Sequence, residues 1–538
     1  MDIAPLIGER FSKTEFAALV TVQKPVFQDG RLLVPPAALE ALSEEAFRRL
    51  SFFYRRSHLA LLAAACGKQG TTENERAVIR SLLDNAVIAA EGRLPLCQDT
   101  GAACVYAWKP EGVVTGVDDR ALLERGAVSA YRKHRLRASI LAPASFFDEY
   151  NTGGNLPAQI RIEAAPPPEN AALPCYRFLF AAKGGGSSNK TAYFPSAPDI
   201  LYHDSWDNFL REKIEALGTA ACPPYRLALV LGGLSPEENL ETLKLATTEL
   251  LDDAPYFTPA GNGNAGAACT PAVFRDLFWE NRAMEIAERS GLGAQLGGKR
   301  LALDVRVLRL PRHAASCPVS IGVSCAAHRN MLGFIDERGV FLEKLEENPA
   351  EFLERAFKKA DSALSPEIET RRVCFDVPIA ELCEKLSGFK AGEALLASGK
   401  MLVARDAAHL AWRKLLKKGE PLPPYLFRYP VFYAGPAETP AGCVAGSIGP
   451  TTSARMDGFA EELLSRGASL VTVGKGCRSA IWTDAALRYG GRYLIAAGGA
   501  AALIASRHVV SVKIIDYPEL AMEAVRLLEV KDLRLFTA

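Results

Sequence analysis

Apolar residues recur at helical spacing over the first part of the chain. The run "ALEALSEEAFRRLSFFYRRSHLALLAAAC", from Ala38 to Cys66, has an apolar position every three or four residues. The run "ENERAVIRSLLDNAVIAAEG" repeats this spacing and ends at Gly92, a residue suited to cap a helix. The pattern predicts helices over residues 36–91.

Strand patterns follow these helices. The segments "AQIRIEA" and "YRFLFAAKGGG" predict two strands on either side of a proline-rich loop. The continuous apolar run Tyr225–Gly233 is typical of a buried strand, and Ser235 is in position to cap the helix after it. The run "LALDVRVLRLP" alternates apolar and polar positions and predicts a further strand. The loop 258–272, rich in Gly, Asn and Ala, is predicted to be exposed.

A charged helical stretch at 343–364 separates these elements from a second series of strands, glycine turns and helices. The chain has 538 residues, which is too long for one ordinary hydrophobic core. We predict an α/β protein of two domains, at residues 1–340 and 370–538, joined by a linker at 341–369.

Composition excludes several classes of protein. The net charge is +1, from 63 basic and 62 acidic residues, so nothing favours nucleic acid as a partner. No apolar run approaches the roughly 18 residues that a membrane span needs. The first residues resemble neither a secretory signal nor a transit peptide, which predicts a cytoplasmic protein. Its 12 cysteines are then expected to be reduced, as buried residues, metal ligands or nucleophiles.

Three segments place cysteines in loops. They are "LPLCQDTGA" with Cys97, "GTAACPPY" with Cys222, and "RLPRHAASCPVSIGVSC" with His313, Cys317 and Cys325. Each cysteine is either a buried apolar residue or a metal ligand. The chain has no C-x-x-C, so any ligands come singly from distant loops. Thiolates would favour an iron–sulfur cluster over magnesium or manganese.

Other segments carry groups that bind anions. The segment "AAKGGGSSNKTA" (181–192) is either a tight turn or a set of backbone N–H groups around an anion. The segments "ARDAAHLAWRK", "GPTTSARMDGF" and "VGKGCRSA" supply Arg405, His409, Thr451, Thr452, Arg455 and Lys475. If a helix opens near Pro450, Thr451 and Arg455 would share one face near its N-terminus. Each arginine taken singly could equally be a surface cation.

Seven segments in order, including "NTGGNLPAQI", "ARDAAH" and "GPTTSARMD", closely resemble the class I, iron–sulfur-dependent fumarate hydratases. The resemblance extends from about residue 50 to 530. It implies that Cys97, Cys222 and Cys325 hold a 4Fe–4S cluster with one iron lacking a thiolate, and that Cys317 is a nearby buried thiol. The substrate and catalytic positions that it implies are Gln98, Asp99, Arg137, Gln159, Gly184, His313, Arg405, Thr451, Thr452, Arg455 and Lys475. Cys477 departs from the asparagine that is usual in the family.

The resemblance also implies an architecture and a reaction. A larger mixed α/β N-terminal domain binds the cluster, a swivelling β/β/α-type C-terminal domain supplies further cations, and the site lies between them. Two chains form a homodimer. The substrate is a small dicarboxylate, fumarate or (S)-malate, and the open iron acts as a Lewis acid. Asp99 is expected to protonate the leaving hydroxyl and Thr451 to remove the C3 proton.

Three alternatives remain open at this point. Tartrate dehydratase and mesaconate hydratase use the same scaffold for related substrates. An iron sensor that binds RNA is disfavoured by the neutral net charge. A redox protein is disfavoured because a cluster with an open iron suits Lewis acid chemistry better.

Overall fold

The structure is a computed structural model that describes residues 4–20, 22–166, 174–256, 273–358 and 370–538. It is a mixed α/β protein, as the sequence predicts. The predicted exposed loop 258–272 lies outside the described residues. So does the end of the predicted linker, from residue 359 to 369.

The part of the chain before the linker contains both helices and short strands. Its helices are α1 (Ala4–Ser12), α2 (Pro36–Phe52), α3 (Arg56–Gly67), α4 (Glu73–Ala89), α5 (Asp119–Lys133), α6 (Gly185–Ser188), α7 (His203–Leu217), α8 (Pro236–Ala246), α9 (Leu277–Arg289) and α10 (Ala350–Lys358), with a 3₁₀ turn at Pro198–Leu201. Its strands are β1 (Phe16–Ala18), β2 (Val26–Gln28), β3 (Arg31–Leu33), β4 (Ala102–Pro110), β5 (Val113–Val114), β6 (Leu141–Pro143), β7 (Glu149–Asn151), β8 (Gln159–Ala165), β9 (Tyr176–Lys183), β10 (Ala192–Phe194), β11 (Tyr225–Gly233), β12 (Phe274–Arg275), β13 (Ala302–Arg312), β14 (Val319–Ser324), β15 (Asn330–Asp336) and β16 (Gly339–Glu343).

The part after the linker is built in the same way. Its helices are α11 (Ile379–Ser387), α12 (Asp406–Lys417), α13 (Ala460–Leu464), α14 (Ala480–Tyr489) and α15 (Ala501–Leu503), with 3₁₀ turns at Pro424–Phe427, Ser453–Phe459 and Pro518–Glu523 and a π turn at Ile504–His508. Its strands are β17 (Arg371–Cys374), β18 (Ala394–Val403), β19 (Val431–Phe432), β20 (Val471–Gly474), β21 (Arg492–Ile495), β22 (Val509–Asp516) and β23 (Val525–Thr537).

The sequence patterns predicted many of these elements. Helices α2, α3 and α4 fill the predicted helical region, and β8 and β9 flank the proline-rich segment. The hydroxyl of Ser235 accepts a hydrogen bond from the N–H of Glu238 at 3.2 Å, so it caps α8 as predicted. Helix α10 lies inside the predicted linker and packs against α3 and α4.

Two sheets form the frame of the first part. The larger has the strand order β1-β16-β15-β9-β4-β8, and the smaller has the order β10-β14-β11-β13-β12. Helices α2 and α5 pack on the larger sheet, and α7 and α9 cover one face of the smaller sheet. Apolar side chains of both sheets and of α8 meet in a shared core between them. Strand β11 is buried along its whole length, as its apolar run predicts.

The sheet of the second part partly closes on itself. Strand β18 pairs with β19 and also with β23, and β23 pairs with β21, so β18, β19, β20, β21 and β23 form a ring. Strands β18 to β21 run parallel, so their carboxyl ends lie at one edge. Loops that follow such an edge are where α/β proteins gather polar site residues.

The two parts share one hydrophobic cluster. It contains Leu82 and Ala326 from the first part and Ile448 and Ile504 from the second. A buried amide adds a polar link, because Asn85 accepts a hydrogen bond from the N–H of Leu503 at 3.0 Å. The positions of the two predicted domain boundaries stay a prediction.

A close backbone contact between α2 and α5 gives a test of the packing. A Cβ added at Gly126 would lie 2.3 Å from the carbonyl oxygen of Glu40, so the helices touch through a glycine. Helix propensity alone predicts that Gly126→Ala stabilises the protein by about 1 kcal/mol. We expect the opposite: overpacking should lower the free energy of unfolding of Gly126→Ala by about 1–3 kcal/mol.

Urea unfolding of the two proteins measures this difference. Gly67 is the matched control, because it is also helical and a Cβ there would meet nothing within 4 Å. Gly67→Ala should be neutral or stabilising. A Gly126→Ala protein as stable as wild type would contradict the described contact.

Candidate functional site

Cys97 lies in a buried loop after α4. The side-chain amide of Asn85 donates to the carbonyl oxygen of Leu96 at 2.9 Å, and the N–H of Leu96 donates to Ser51 at 2.9 Å. Burial raises the pKa of the Cys97 thiol to about 11, and the positive charge of Arg329 is the largest influence in the opposite direction. The residue before the cysteine is therefore fixed by hydrogen bonds at both its N–H and its carbonyl oxygen.

Cys222 stands in a tight turn before β11, with a left-handed φ of +62°. Its N–H donates to the carbonyl oxygen of Thr219 at 3.1 Å, and its carbonyl oxygen accepts from the N–H of Ala326 at 3.0 Å. The ammonium of Lys475 donates to Sγ of Cys222 at 2.7 Å. Burial raises the pKa of Cys222, and the Lys475 charge opposes this rise.

Cys325 follows β14 directly. Arg226 at the start of β11 pairs with Ser324 at the end of β14, so Cys325 lies at the same end of the sheet as Cys222. The N–H of Cys325 donates to the hydroxyl of Ser187 in α6 at 3.2 Å. Three loops that are distant in sequence thus carry cysteines to one region.

The three thiols lie close enough to act on the same neighbouring groups. Burial raises the pKa of the buried phenol of Tyr54, and the charges at Cys97, Cys325 and Cys222 all raise it further, while Arg329 opposes them. Among the described residues, no three His, Cys, Asp or Glu side chains are close enough to bind one metal ion together. Cysteines that come singly from separate loops are the type of ligand that an iron–sulfur cluster uses, in which each thiolate binds a different iron.

Asp99 is held beside these thiols by cations and by a backbone N–H. Its carboxylate lies 2.9 Å from Nη2 of Arg137 and accepts from the N–H of Gly185 at 2.8 Å. Burial would raise the pKa of Asp99, but Arg137 and Arg329 outweigh it and hold the pKa at about 2. A Cβ at Gly184 would lie 3.0 Å from Oδ2 of Asp99, so the close approach requires a glycine. The glycine-rich segment therefore does contact an anion, the carboxylate of Asp99.

Arg137 of the first part and Arg405 of the second part approach each other around Gly435. Nη1 of Arg137 donates to the carbonyl oxygen of Gly435 at 3.4 Å, and a Cβ at Gly435 would lie 3.1 Å from Cζ of Arg405. Both arginines are buried. Burial lowers the pKa of Arg405, and the nearby charge of Arg137 lowers it further.

Carboxylates orient Arg405 and Arg455, the two predicted site arginines of the second part. Glu523 lies 2.8 Å from Nη2 of Arg405 and accepts the N–H of Ala407 at 2.8 Å, at the start of α12. Nε of Arg405 is buried without a partner in the described part of the chain. Arg455 is exposed and forms a two-pronged ion pair with Asp406.

Thr451, Thr452 and Lys475 form a small backbone ladder. The N–H of Thr451 donates to Tyr433 at 2.7 Å, and its carbonyl oxygen accepts from the N–H of Lys475 at 3.2 Å. The hydroxyl of Thr452 donates to the carbonyl oxygen of Ala220 at 3.2 Å, beside the Cys222 turn. Lys475 follows β20 directly, so the sheet edge determines where its ammonium lies.

Gln98 joins the Cys97 loop to the second part. Its amide donates to the carbonyl oxygen of Pro450 at 3.3 Å. Its Oε1 lies 3.5 Å from Sγ of Cys97. A Cβ at Gly449 would lie 2.6 Å from Oε1 of Gln98, so this contact also depends on a glycine.

The predicted helix face shared by Thr451 and Arg455 is wrong. The helical segment is a 3₁₀ turn that begins at Ser453, with Thr452 as its N-cap residue. Thr451 lies outside this turn, because its backbone is hydrogen-bonded to Tyr433 and Lys475 instead. The ladder, not helical spacing, therefore fixes Thr451.

Two predicted residues, Gln159 and His313, make no hydrogen bond to the three thiols in the described part of the chain. Gln159 is exposed and accepts from Nζ of Lys244 at 2.5 Å, beside a cavity of about 390 Å³ that none of the three cysteines lines. His313 is exposed and precedes β14, whereas Cys325 follows it. The six residues of β14 put about 20 Å between those ends. Buried Cys317 also lies at the His313 end, so it is not beside the thiol site.

The sequence analysis missed several residues of the site. Arg329 and Tyr54 face the thiols, Glu523 orients Arg405, and Gly498 adjoins Cys222. A Cβ at Gly498 would lie 2.3 Å from Sγ of Cys222. Arg329 is the fourth residue after Cys325, and its nearness to that cysteine was the one signal that could have found it. Nothing in the local sequence distinguishes the other three.

Comparisons with known proteins give one consistent result. Residues 40–333 match the family model described as fumarate hydratase (Fumerase), and residues 339–538 match the one described as fumarase C-terminus. The chain is 42% identical to fumarate hydratase 2 of Leishmania major, over 98% of this chain and 89% of that protein. It is 42% identical to the aerobic class I fumarate hydratase of Escherichia coli K12, over 94% of this chain and 88% of that protein.

Two further proteins, each named as a tartrate dehydratase subunit, are similar to part of the chain. The putative L(+)-tartrate dehydratase subunit alpha of Methanocaldococcus jannaschii is 27% identical over 49% of this chain and 86% of that subunit. Subunit beta is 40% identical over 27% of this chain and 75% of that subunit. Of the helices that the structure describes, none combines the length and apolarity needed to cross a membrane.

A buried histidine beside Arg405 gives a prediction for stability against pH. His409 packs its ring on Trp412, and its Nδ1 donates to the carbonyl oxygen of Arg405 at 2.8 Å. Burial lowers the pKa of His409 to about 4, against the opposing effect of that hydrogen bond. The unfolded chain thus takes up the proton first as the pH falls. The contribution of His409 to the free energy of unfolding is therefore fully present above about pH 6.5. It is lost as the pH falls towards about 4.

We expect His409→Asn, which keeps a donor near the position of Nδ1, to remove this part of the pH dependence. The free energy of unfolding of the wild type should lose about 2 kcal/mol through His409 between about pH 7 and about pH 5. Urea unfolding at both pH values measures it, and the exposed residue His203, replaced by Asn, is the control. The same change in the free energy of unfolding between the two pH values in wild type and in His409→Asn would contradict the prediction.

Proposed function

Since this chain belongs to the class I fumarate hydratase family, we propose that it is a hydro-lyase that interconverts fumarate and (S)-malate. The observation that carries the proposal is the convergence of two buried thiols and one half-buried thiol, the Asp99 carboxylate and cations from both parts of the chain. A homodimer, which the family resemblance implies, and the predicted cytoplasmic location are part of the proposal. Light scattering of the purified protein tests the dimer.

We propose that Cys97, Cys222 and Cys325 hold a 4Fe–4S cluster. Three cysteines from three loops fit such a group, and the missing Cβ at Gly498 leaves space against Sγ of Cys222. Burial raises the pKa values of Cys97 and Cys222, so these thiols release protons as metal binds. When bound, a cluster with one iron lacking a thiolate supplies a Lewis acid that polarises a carbon–oxygen bond.

The cations of the site suit a small dianion. Arg137 comes from the first part, and Arg405 and Arg455 come from the second, so two carboxylates can bridge the parts. The free Nε of Arg405 is a donor that lacks a partner among the described residues. Gln98, Gly184, Thr452 and Lys475 are proposed to complete the substrate site.

Two residues are proposed to transfer protons. In the hydration direction, the ionised carboxylate of Asp99 accepts the proton of the attacking water, and in the reverse direction it returns that proton. Thr451 is the proposed base for the C3 proton. Its backbone is held at both the N–H and the carbonyl oxygen, which fixes that backbone beside the backbone of Lys475.

Assays on three substrates test the proposed function. The protein is reconstituted anaerobically with iron and sulfide and then supplied with fumarate, mesaconate or tartrate. Hydration of fumarate well above the other activities is expected, because fumarate hydratases match nearly the whole chain, whereas each tartrate dehydratase subunit matches half of it or less. A preference for tartrate or mesaconate would replace the proposed substrate, and full activity without iron would exclude the cluster.

Cysteine variants test the proposed ligands. Cys97→Ser, Cys222→Ser and Cys325→Ser should each lose the brown absorbance and the activity. Cys317→Ser is the matched control, because Cys317 is also buried but lies at the other end of β14. Iron and sulfide analysis measures the result. Loss of the cluster in Cys317→Ser but not in Cys325→Ser would overturn the assignment.

Isotope exchange separates the two proton-transfer residues. Thr451→Val should keep the cluster and bind malate nearly normally, yet lose about 10²–10⁴-fold in rate, because it lacks the base. Exchange of the C3 proton of malate with solvent deuterium, followed by NMR, should stop in Thr451→Val. Asp99→Asn should slow hydroxyl loss and leave some exchange. Normal exchange in Thr451→Val would transfer the base role to Asp99.

A further inference from the structure

Arg329 is a buried cation that the proposed reaction does not use. It lies between Cys325 and the start of β15, on the short connection between the two sheets of the first part. Its carbonyl oxygen accepts from the N–H of Ala182 at 3.0 Å, and 3% of the residue is exposed. The backbone is therefore fixed, and the side chain points into the protein.

The guanidinium of Arg329 has unused donors. Nε and Nη1 are buried and have no hydrogen-bond partner in the described part of the chain. Arg55 shows the usual case, because its Nε and Nη2 bind Glu343 at 2.7 and 2.8 Å and its Nη1 binds Thr248 at 2.6 Å. A buried cation with unpaired donors is costly. Arg329 is thus arranged for a partner that is not a protein group.

The surroundings of Arg329 identify that partner. Burial lowers the pKa of Arg329, but the charges at Cys97, Cys325 and Asp99, in that order, outweigh burial and raise it. Cys222 already has a cation, since Lys475 lies 2.7 Å from its Sγ. Arg329 is accordingly the cation on the side of the other two thiols.

We propose that Arg329 donates hydrogen bonds from Nε and Nη1 to sulfur atoms of the cluster on the side of Cys97 and Cys325, and so stabilises its reduced state. This inference rests on the cofactor of the proposed function. Three thiolates around a core of charge 2+ give a net charge of 1−, and one electron makes it 2−. A fixed cation favours the more negative state, so it raises the reduction potential.

Charge and hydrogen bonding can be separated by two substitutions. Arg329→Gln removes the charge, whereas Arg329→Lys keeps the charge and loses the planar set of donors. Arg93→Gln is the matched control, because Arg93 lies four residues before Cys97, as Arg329 lies four after Cys325, but is exposed. Each protein is reconstituted anaerobically, and the cluster is titrated reductively with EPR detection.

In Arg329→Gln the reduction potential of the cluster should become more negative by at least about 59 mV. This corresponds to a tenfold change in the equilibrium constant for one-electron reduction. Arg329→Lys should shift less, and Arg93→Gln should not shift. An Arg329→Gln protein with full iron content and the wild-type potential would overturn the proposal. A raised KM for fumarate at an unchanged potential would also overturn it, because Arg329 would then bind substrate.

A second measurement uses the wild-type protein and does not depend on folding of Arg329→Gln. Protein labelled with ¹⁵N in its arginine guanidinium groups is reduced, and pulsed EPR detects nitrogen coupled to the cluster. We expect a guanidinium coupling that disappears in Arg329→Lys. No coupling in the wild type, or a coupling that persists in Arg329→Lys, would refute the inference.

The two proposals fail in different ways. A wild type that holds the cluster but does not hydrate fumarate contradicts the proposed function. The reduction potentials of the Arg329 variants then still test the role of Arg329. A wild type that takes up no cluster contradicts both.

Discussion

The contact between the Lys475 ammonium and Sγ of Cys222, at 2.7 Å, is the interaction on which the arrangement of the site depends. The thiol comes from the first part of the chain and the cation from the second. Gln295 supports this contact, since its amide donates to Pro223 at 2.9 Å and to Gly498 at 3.0 Å. It also accepts the N–H of Gly498 at 2.7 Å. Cys222 is therefore positioned by both parts, and neither part alone forms the site.

The same contacts restrict motion between the two parts. Rotation of the second part against the first would break the Lys475 contact, both hydrogen bonds between Gln295 and Gly498, and the bond from Leu503 to Asn85. It would also separate the shared hydrophobic cluster. Leaving a buried polar group unpaired costs about 1–3 kcal/mol, so such a rotation is unfavourable unless a ligand replaces the lost hydrogen bonds. A swivelling motion, if it occurs, therefore has to leave this interface largely intact.

Sequence patterns predicted the parts of the protein that depend on local physics. Helical spacing identified α2, α3 and α4, and an uninterrupted apolar run identified β11. The cysteines and Asp99 could be predicted because several short motifs occur in order. Residues that act through long-range contacts could not. Gly498 matters because Cys222, far away in sequence, fills the space beside it. Glu523 follows a segment with a left-handed residue at Tyr517, and no spacing connects it to Arg405. Thr451 was assigned to a helix face because spacing of four suggests one, whereas tertiary hydrogen bonds set its position.

An excess of positive charge is the remaining constraint on the site. Arg137 and Arg405 approach each other around Gly435, and each has a carboxylate nearby, Asp99 for the first and Glu523 for the second. One carboxylate on each arginine does not cancel their mutual repulsion, since the charge of Arg137 still lowers the pKa of Arg405 beyond the effect of burial. A dianion between them, where we propose that the substrate binds, would remove that repulsion and satisfy Nε of Arg405 at the same time. Binding of a dicarboxylate there would offset the cost of burying like charges, which would favour doubly charged substrates over singly charged ones.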